Sequence, residues 1–440
     1  MQTLSMQVVN EILSRGRIYE VGGAVRDRFL VGPEKIKDRD YLVTGIPYDD
    51  LARMLKRFGR VELVGRSFGV IKFTQFHDDK PVTFDISLPR REHSTGVGHT
   101  DFAVDFDPAL PVEEDLVRRD FTINAMALAL DDETLVDPLG GKRDIEHKVL
   151  RMTSEKSFEE DPLRMMRAVQ FAARFEFTIE PDTLQSMTAH AHLIDTISAE
   201  RIAEEFNKLL LLARRPSIGF RLMLETGLLK HVLPELETCV GVDQPGGYHR
   251  YDVFEHTIRA IDAAPPRLSV RLAALFHDIT KPKHKRPSET GATFYGHEVS
   301  GARVAAKVLK RLRYSKDLIA DVVTLVERHM FTTDVSDKGR RRLIRRVGKE
   351  RIFDLLDLRR ADVEAQGMGG KTDDVDRFEK DIREEFEKKR PFGIQDLAIG
   401  GNEVMALCDL EPSPMVGRIL SHLLEHVLDE PEDNTRETLE

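Results

Sequence analysis

Residues 19–44 read YEVGGAVRDRFLVGPEKIKDRDYLVT: a strand end, a glycine turn and a helix start, then two acids alternating into an apolar run. Tyr19 to Val21 predict a strand, Gly22 and Gly23 a tight turn, and Ala24 to Leu30 the first turns of a helix. A helix that opens on glycine, as at Gly23, offers backbone N–H donors that a phosphate can approach closely, and Arg26 adds a charged contact one turn inside. Asp38 and Asp40 stand two apart at the entrance to the strand Tyr41-Leu42-Val43, so both carboxylates face one side of the pleat. Two hard oxygen ligands suit Mg²⁺ carried in with a nucleoside triphosphate. Each half also has a plain reading, as a turn and as a solvated loop, and only their adjacency raises the phosphate-and-metal reading.

Outward from this stretch, the 440 residues, 41% of them hydrophobic, suffice for more than one core. Cys239 and Cys408 are too few and too far apart for a disulfide framework or a thiolate metal site, which fits a reducing cytoplasm. No apolar run is long enough for a bilayer, so a soluble cytoplasmic protein with no membrane partner is expected. The formal net charge of −10 argues against general affinity for nucleic acid and leaves that role to local basic patches.

Tyr48 to Phe58 predict a helix, and Val61 to Val64, Val70 to Phe73 and Val82 to Ile86 predict strands, giving a mixed α/β head. Asp85 on the last strand is a candidate third carboxylate beside Asp38 and Asp40, or an acid facing solvent. Arg91 to Asp105 reads as a mobile loop, glycine-containing and polar. In EEDLVRRDFTINAMALAL, residues 113–130, the apolar half packs while Arg118, Arg119 and Asp120 form a charged knot. The knot is either a surface ion cluster or a bidentate phosphate clamp, a geometry lysine supplies less well.

From Phe158 onward the pattern turns to long helices, opening on Glu160-Asp161-Pro162-Leu163-Arg164-Met165-Met166-Arg167. Asp before Pro is a common helix start, with the acid as N-cap and proline at the first helical position. Asp161, Arg164 and Arg167 are spaced by three and share a face. Cytosine and adenine pair an exocyclic amino donor with a ring-nitrogen acceptor, so a carboxylate beside a guanidinium suits C and A and mismatches U and G.

The set VGGAVRD, DRD, RRDFTINAMA, DPLGG and EDPLRMMRAVQFAARF, in this order, resembles the class II tRNA nucleotidyltransferase and bacterial poly(A) polymerase family. The resemblance implies Gly23 and Arg26 at the triphosphate, Asp38 and Asp40 as catalytic Mg²⁺ ligands, and Arg118 at the nucleotide. It further implies Asp161, Arg164 and Arg167 reading the base, with ISAERIAEEFNKLLL (197–211) as a supporting helix. The implied reaction is template-independent addition of CCA to a tRNA 3′ end from CTP and ATP, releasing pyrophosphate. Addition of CC alone, of A alone or of poly(A) are the alternatives within the family.

Histidines gather further on, at His256, His277-Asp278, His297 and His329. This grouping resembles an HD phosphohydrolase domain, which implies a second divalent metal at His256, His277 and Asp278, with His297 or His329 as further candidates. Thr280 stands where that pattern usually has glycine. A metal-dependent phosphohydrolase that also binds tRNA is therefore the alternative from another class. The runs KPKHKR (281–286) and DKGRRRLIRRVGKER (337–351) are either solvated faces or tracks along an RNA backbone. The expected fold class is α+β, a mixed-sheet nucleotidyltransferase head at 1–148 followed by all-helical segments. Those segments are a base-reading neck at 149–240, an HD-type body at 241–335 and a tRNA-binding tail at 336–440 that ends in a frayed acidic terminus.

Overall fold

Alternation along the N-terminal strands sends side chains into two separate cores, one on each face of a sheet. In β1 (Arg17–Val21), Ile18 joins one core while Tyr19 and Val21 join the other. In β2 (Asp40–Thr44), Tyr41 and Val43 enter the first core and Leu42 the second. The helices Met6–Leu13 and Tyr48–Leu55 close the first core through Val8, Ile12, Leu51 and Leu55. The computed structural model describes residues 3–36, 38–63, 69–77, 80–94, 102–289, 291–388 and 390–440, and it divides into two compact units.

The first unit, through Leu209 and with Ile218–Val232, carries a seven-stranded mixed sheet. The other strands of this region are β3 (Arg60–Glu62), β4 (Val70–His77), β5 (Lys80–Ser87), β6 (Arg90–Ser94), β7 (Phe102–Phe106), β8 (Ala127–Ala129) and β9 (Leu135–Val136). The sheet runs β3-β4-β5-β2-β1-β8-β9. Its central β2–β5 pair is parallel, in a register that sets Asp40 opposite Asp85. The stretch expected as an irregular loop is instead an antiparallel ribbon, with β6 paired to β7 from Arg90↔Phe106 to Ser94↔Phe102. Its connection, 95–101, lies outside the described residues. A ladder of backbone bonds fixes the two arms, a stabilisation that the polar, glycine-containing sequence does not advertise.

After the sheet the chain is helical, with the helix Leu163–Phe175 central to the site. Asp161 is extended at φ −141° and its Oδ1 accepts from Leu163 N at 3.2 Å, so the acid caps a helix that begins one residue later than expected. Among its described residues the second unit, Leu210–Ser217 with Leu233–Glu440, is helical apart from a two-stranded sheet of Arg286–Ser288 and Gly291–Thr293. Within it the helices Val253–Ala263, Leu268–Phe276, Lys316–Arg328 and Ile352–Ala365 pack on one another. The terminus expected to fray forms a last short helix, Arg436–Leu439, and buries Leu439. Among the described residues no helix is long and apolar enough to cross a membrane.

Candidate active site and histidine cavity

The turn at Gly22 has φ +66°, a conformation that side chains disfavour. A Cβ at this position would stand 2.6 Å from Arg119 Nη1. Glycine therefore lets the chain reverse tightly under an arginine and launch the helix Gly23–Val31 toward the cleft. Gly23 and Arg26 both line that cleft, a cavity of about 540 Å³. Arg26 is buried; its Nη1 donates to Asn124 Oδ1 at 2.7 Å and its guanidinium lies 4.8 Å from the centre of the Phe175 ring.

Asp40 and Asp85 enter the same cleft. With Asp38 they also line an adjoining cavity of about 420 Å³, so all three carboxylates border one space. Desolvation of its carboxyl in the cleft, then Asp85 and Asp38, raise the pKa of Asp40 above the ordinary carboxylate value, against the pull of Arg119. Like charges set abreast in this way are a favourable place for a hard cation. Arg39, between the two acids, points to the opposite face, where its buried guanidinium bonds Glu20 and donates to Pro33 O at 3.1 Å.

Arg118 and Arg119 clamp the buried Asp115, with Arg118 Nε at 3.0 Å from Oδ1 and Arg119 Nη2 at 3.1 Å from Oδ2. Burial would raise the pKa of Asp115, but Arg119 and Arg118 outweigh it and hold the carboxyl below its usual range. Asp120 behaves likewise: burial is outweighed by Arg167, whose Nη2 lies 2.7 Å from Oδ2, and by a bond from Asn124 Nδ2 at 3.0 Å. Arg164 donates to Ser157 Oγ at 3.0 Å and to the carbonyl of Arg118 at 2.9 Å, joining the helical segment to the arginine pair. Asp161 is braced from behind by Arg201 at 3.2 Å, in the helix Ala199–Leu212. Asp161, Arg164, Arg167 and Arg118 thus all reach one cleft with Asp40 and Asp85.

Sequence reasoning missed the bracing roles of Asp120, Asn124 and Arg201. RRDFTINA carries the first two, but nothing in it says which guanidinium each one meets. The basic runs, which the sequence allowed as solvated faces or as tracks along RNA, are partly paired within the protein. Lys281 is buried, with Nζ 2.6 Å from Asp278 and 2.7 Å from Gln244 Oε1. In the helix Asp337–Val347, Arg340 meets Asp337 and Asp381, Arg341 donates to the Leu428 carbonyl, and Arg342 pairs with Asp429. Much of this run is therefore spent on internal pairing, because nearby acidic helices offer partners that the linear sequence separates from it.

In the second unit the buried side chains of His256, His277, Asp278, His297 and His329 converge. His256 Nε2 is 3.2 Å from His277 Nε2, and His297 Nε2 is 3.2 Å from His329 Nε2. Asp362, in the helix Ile352–Ala365, adds a carboxylate 3.1 Å from His256 Nε2. It stands as a lone acid in a charged helix, with nothing in its surroundings to single it out. Burial and His277 push His329 down to about 3, while His277 and Lys281 overcome burial and hold Asp278 well below the usual range. Thr280 has φ −104°, which any residue adopts; its hydroxyl donates to the His297 carbonyl at 2.9 Å and bonds Ser300 Oγ at 2.8 Å. Threonine in place of glycine here is a brace under the cluster and does not obstruct it.

Residues 18–151 match the poly A polymerase head domain family, and residues 296–440 match a tRNA nucleotidyltransferase domain 2 family. Residues 176–239 match a family described as a probable RNA- and SrmB-binding site of polymerase A. The multifunctional CCA protein of Azoarcus sp. (strain BH72) is 39% identical over 319 residues, 71% of this chain and 73% of that protein. The A-adding tRNA nucleotidyltransferase of Deinococcus radiodurans is 37% identical over 340 residues, 73% of this chain and 76% of that protein. The Bacillus stearothermophilus CCA-adding enzyme, solved in complex with CTP, shares the fold at TM-score 0.70 and 24% identity, covering 97% of this chain and 92% of that one. A glycine turn beside abreast carboxylates, an arginine-braced cleft and relatives matched along nearly three quarters of their length have one common explanation: the chain belongs to the tRNA nucleotidyltransferase and poly(A) polymerase family.

Proposed function

We propose that the chain adds CCA to the 3′ end of tRNA, taking CTP and ATP in turn and releasing pyrophosphate. The observation that carries this is the single cleft in which Asp40 and Asp85 face Asp161, Arg164 and Arg167. The carboxylates of Asp38 and Asp40, with Asp85, fit Mg²⁺: they line one cavity, and desolvation together with the neighbouring acids raises Asp40, a cost that a cation would relieve. Bound there, the metal would lower the cost of charge building on the attacking and leaving oxygens.

The chain's own residues supply the rest. Gly23 and Arg26 receive the triphosphate at a helix N-terminus, with Arg118 as a further phosphate contact. Asp161 accepts from the exocyclic amino group of cytosine or adenine while Arg164 and Arg167 present guanidinium donors, so no nucleic-acid template is required. Asp120 and Asn124 orient Arg167 and Arg26 for these roles. The 3′-hydroxyl oxygen of tRNA attacks the α-phosphorus, its proton passes to solvent, and the bond to the β-phosphate oxygen breaks. The division of labour follows the chain: head at 1–148, base-reading neck at 149–240, HD-type body at 241–335 and tRNA-gripping tail at 336–440, working in the cytoplasm. In the body, His256, His277 and Asp278 would hold one divalent ion, with the Asp362 carboxylate close beside His256.

A-addition alone is the second reading, because a relative of that name is as similar as the one named for CCA. Purified protein with Mg²⁺ and CTP, ATP or both, on tRNAs ending before C or after CC, separates the two at single-nucleotide resolution. Growth by CCA and then arrest is expected. Extension only of the CC-ended tRNA selects A-addition, and no extension of either sinks the assignment.

A further inference from the structure

Spaced by four on the helix Leu163–Phe175, Arg167, Phe171 and Phe175 form one stripe. The Arg167 guanidinium lies 5.2 Å from the centre of the Phe171 ring, and Arg26, reaching it from the helix Gly23–Val31, lies 5.4 Å from the same centre. One buried ring thus carries both the arginine assigned to the triphosphate and an arginine assigned to the base. Phe175, stacked at 5.6 Å, and Phe121, edge-on at 5.9 Å, leave that ring little freedom to turn.

A second, polar path joins the same two arginines. Asn124 Oδ1 accepts from Arg26 Nη1 at 2.7 Å, its Nδ2 donates to Asp120 Oδ1 at 3.0 Å, and Asp120 Oδ2 accepts from Arg167 Nε at 2.8 Å. The amide fits in this sense alone, since a flip would set its NH₂ against a guanidinium and its oxygen against a carboxylate. Arg26, Asn124, Asp120, Arg167 and Phe171 therefore close a circuit inside the first unit, polar on one side and aromatic on the other. Guanidiniums gathered at one ring repel each other, so a triphosphate that neutralises Arg26 steadies Arg167. We propose that Phe171 and Asn124 are positioning residues that couple triphosphate capture to base reading, so that bases are discriminated more sharply in triphosphates than in monophosphates. The coupling rests on the roles proposed above for Arg26 and Arg167 and adds a link between them.

The test uses the full chain with Mg²⁺ and without tRNA, and compares by competition binding the preference for CTP over UTP with that for CMP over UMP. The triphosphate preference should exceed the monophosphate preference about tenfold. Phe171→Leu, which keeps apolar bulk and removes the ring, brings the two preferences to one value, as does Asn124→Ala, while Phe171→Tyr keeps them apart. Phe175→Leu, which removes a ring beside Arg26 and Arg174, weakens CTP and UTP equally and preserves the difference. A difference erased by Phe175→Leu as well assigns the effect to helix packing and overturns the inference. So does a difference that survives both Phe171→Leu and Asn124→Ala; if Phe171→Leu fails to fold, Asn124→Ala decides alone. Equal preferences in the unaltered chain overturn the coupling and leave base reading standing. No preference for C over U in either form sinks the base reading itself, and the coupling with it.

Discussion

In the sheet-built cleft the charged groups hold one another, Asp115 between Arg118 and Arg119 and Asp120 against Arg167 and Asn124, whereas the imidazoles of His277, His297 and His329 in the helical unit are held by backbone carbonyls. The contrast separates two kinds of preorganisation. Side-chain pairs can exchange a partner for a ligand, which suits a cleft that must accept two different bases and release a product. Carbonyl-anchored rings can do little but keep their places, which suits a resident ion.

The sharpest way to break the comparison is Asp40→Asn. Loss of the carboxylate should lower the rate of nucleotide addition about 10³-fold, equivalent to several kcal/mol of lost charge stabilisation. Melting temperature should hold or rise, because repulsion from Asp85 is relieved. An activity loss matched by a fall in melting temperature would reduce Asp40 to a structural residue.

Asp120→Ala comes next, and here stability should suffer. Removing one partner of a buried pair costs about 3–5 kcal/mol. Glu205, 3.7 Å from Arg167, should keep the loss toward the lower end, as read from denaturant unfolding of the sheet-bearing unit. The same carboxylates set an acid limit. Asp115 and Asp120 have folded pKa values below their unfolded ones, so their contribution is complete above the ordinary carboxylate pKa and is lost as pH falls through the depressed values. Stability that stays flat through that acid range would contradict the pairing.

Gly22→Ala should cost about 1–3 kcal/mol through backbone strain. It should also displace Arg119, seen as a higher KM for nucleotide with base preference unchanged. Thr280→Val is the smallest change, about 1 kcal/mol for the lost hydroxyl bonds. A thermal shift much larger than that would show that the helical unit depends on side-chain pairs as heavily as the cleft does.

Local features of the site were legible in the sequence. Alternation pointed to Asp38 and Asp40 sharing a space, which both line, and helical spacing put Arg164 and Arg167 in one cleft, which Asp161 joins from the extended turn before their helix. Long-range features were hidden. Asp85 meets Asp40 through a parallel register across 45 positions, and Asp362 reaches His256 from a helix more than 100 residues away. Sheet register and helix docking decide such contacts, and a single segment encodes neither. The ribbon at Arg90–Ser94 and Phe102–Phe106 was missed because its stability comes from cross-strand backbone bonds. The internal pairing of the basic run at 337–351 was hidden because its acidic partners fold in from Asp381 and Asp429.

Arg39 lies between the two acids at the cleft and is buried against Glu20 on the far side of the sheet. A substitution in this segment alters one side chain at a time, whereas a change in its length alters the facing of several together. Inserting one residue between Asp40 and Tyr41, or deleting Asp40, would leave the composition almost intact yet turn a guanidinium toward the cleft and a carboxylate to the opposite face of the sheet. Such a variant should fail in both halves at once. Across a library of insertions and deletions, tolerance should collapse abruptly on entering this segment and return in the exposed turn around Glu34 and Lys35, marking parity of residue number as the property under selection.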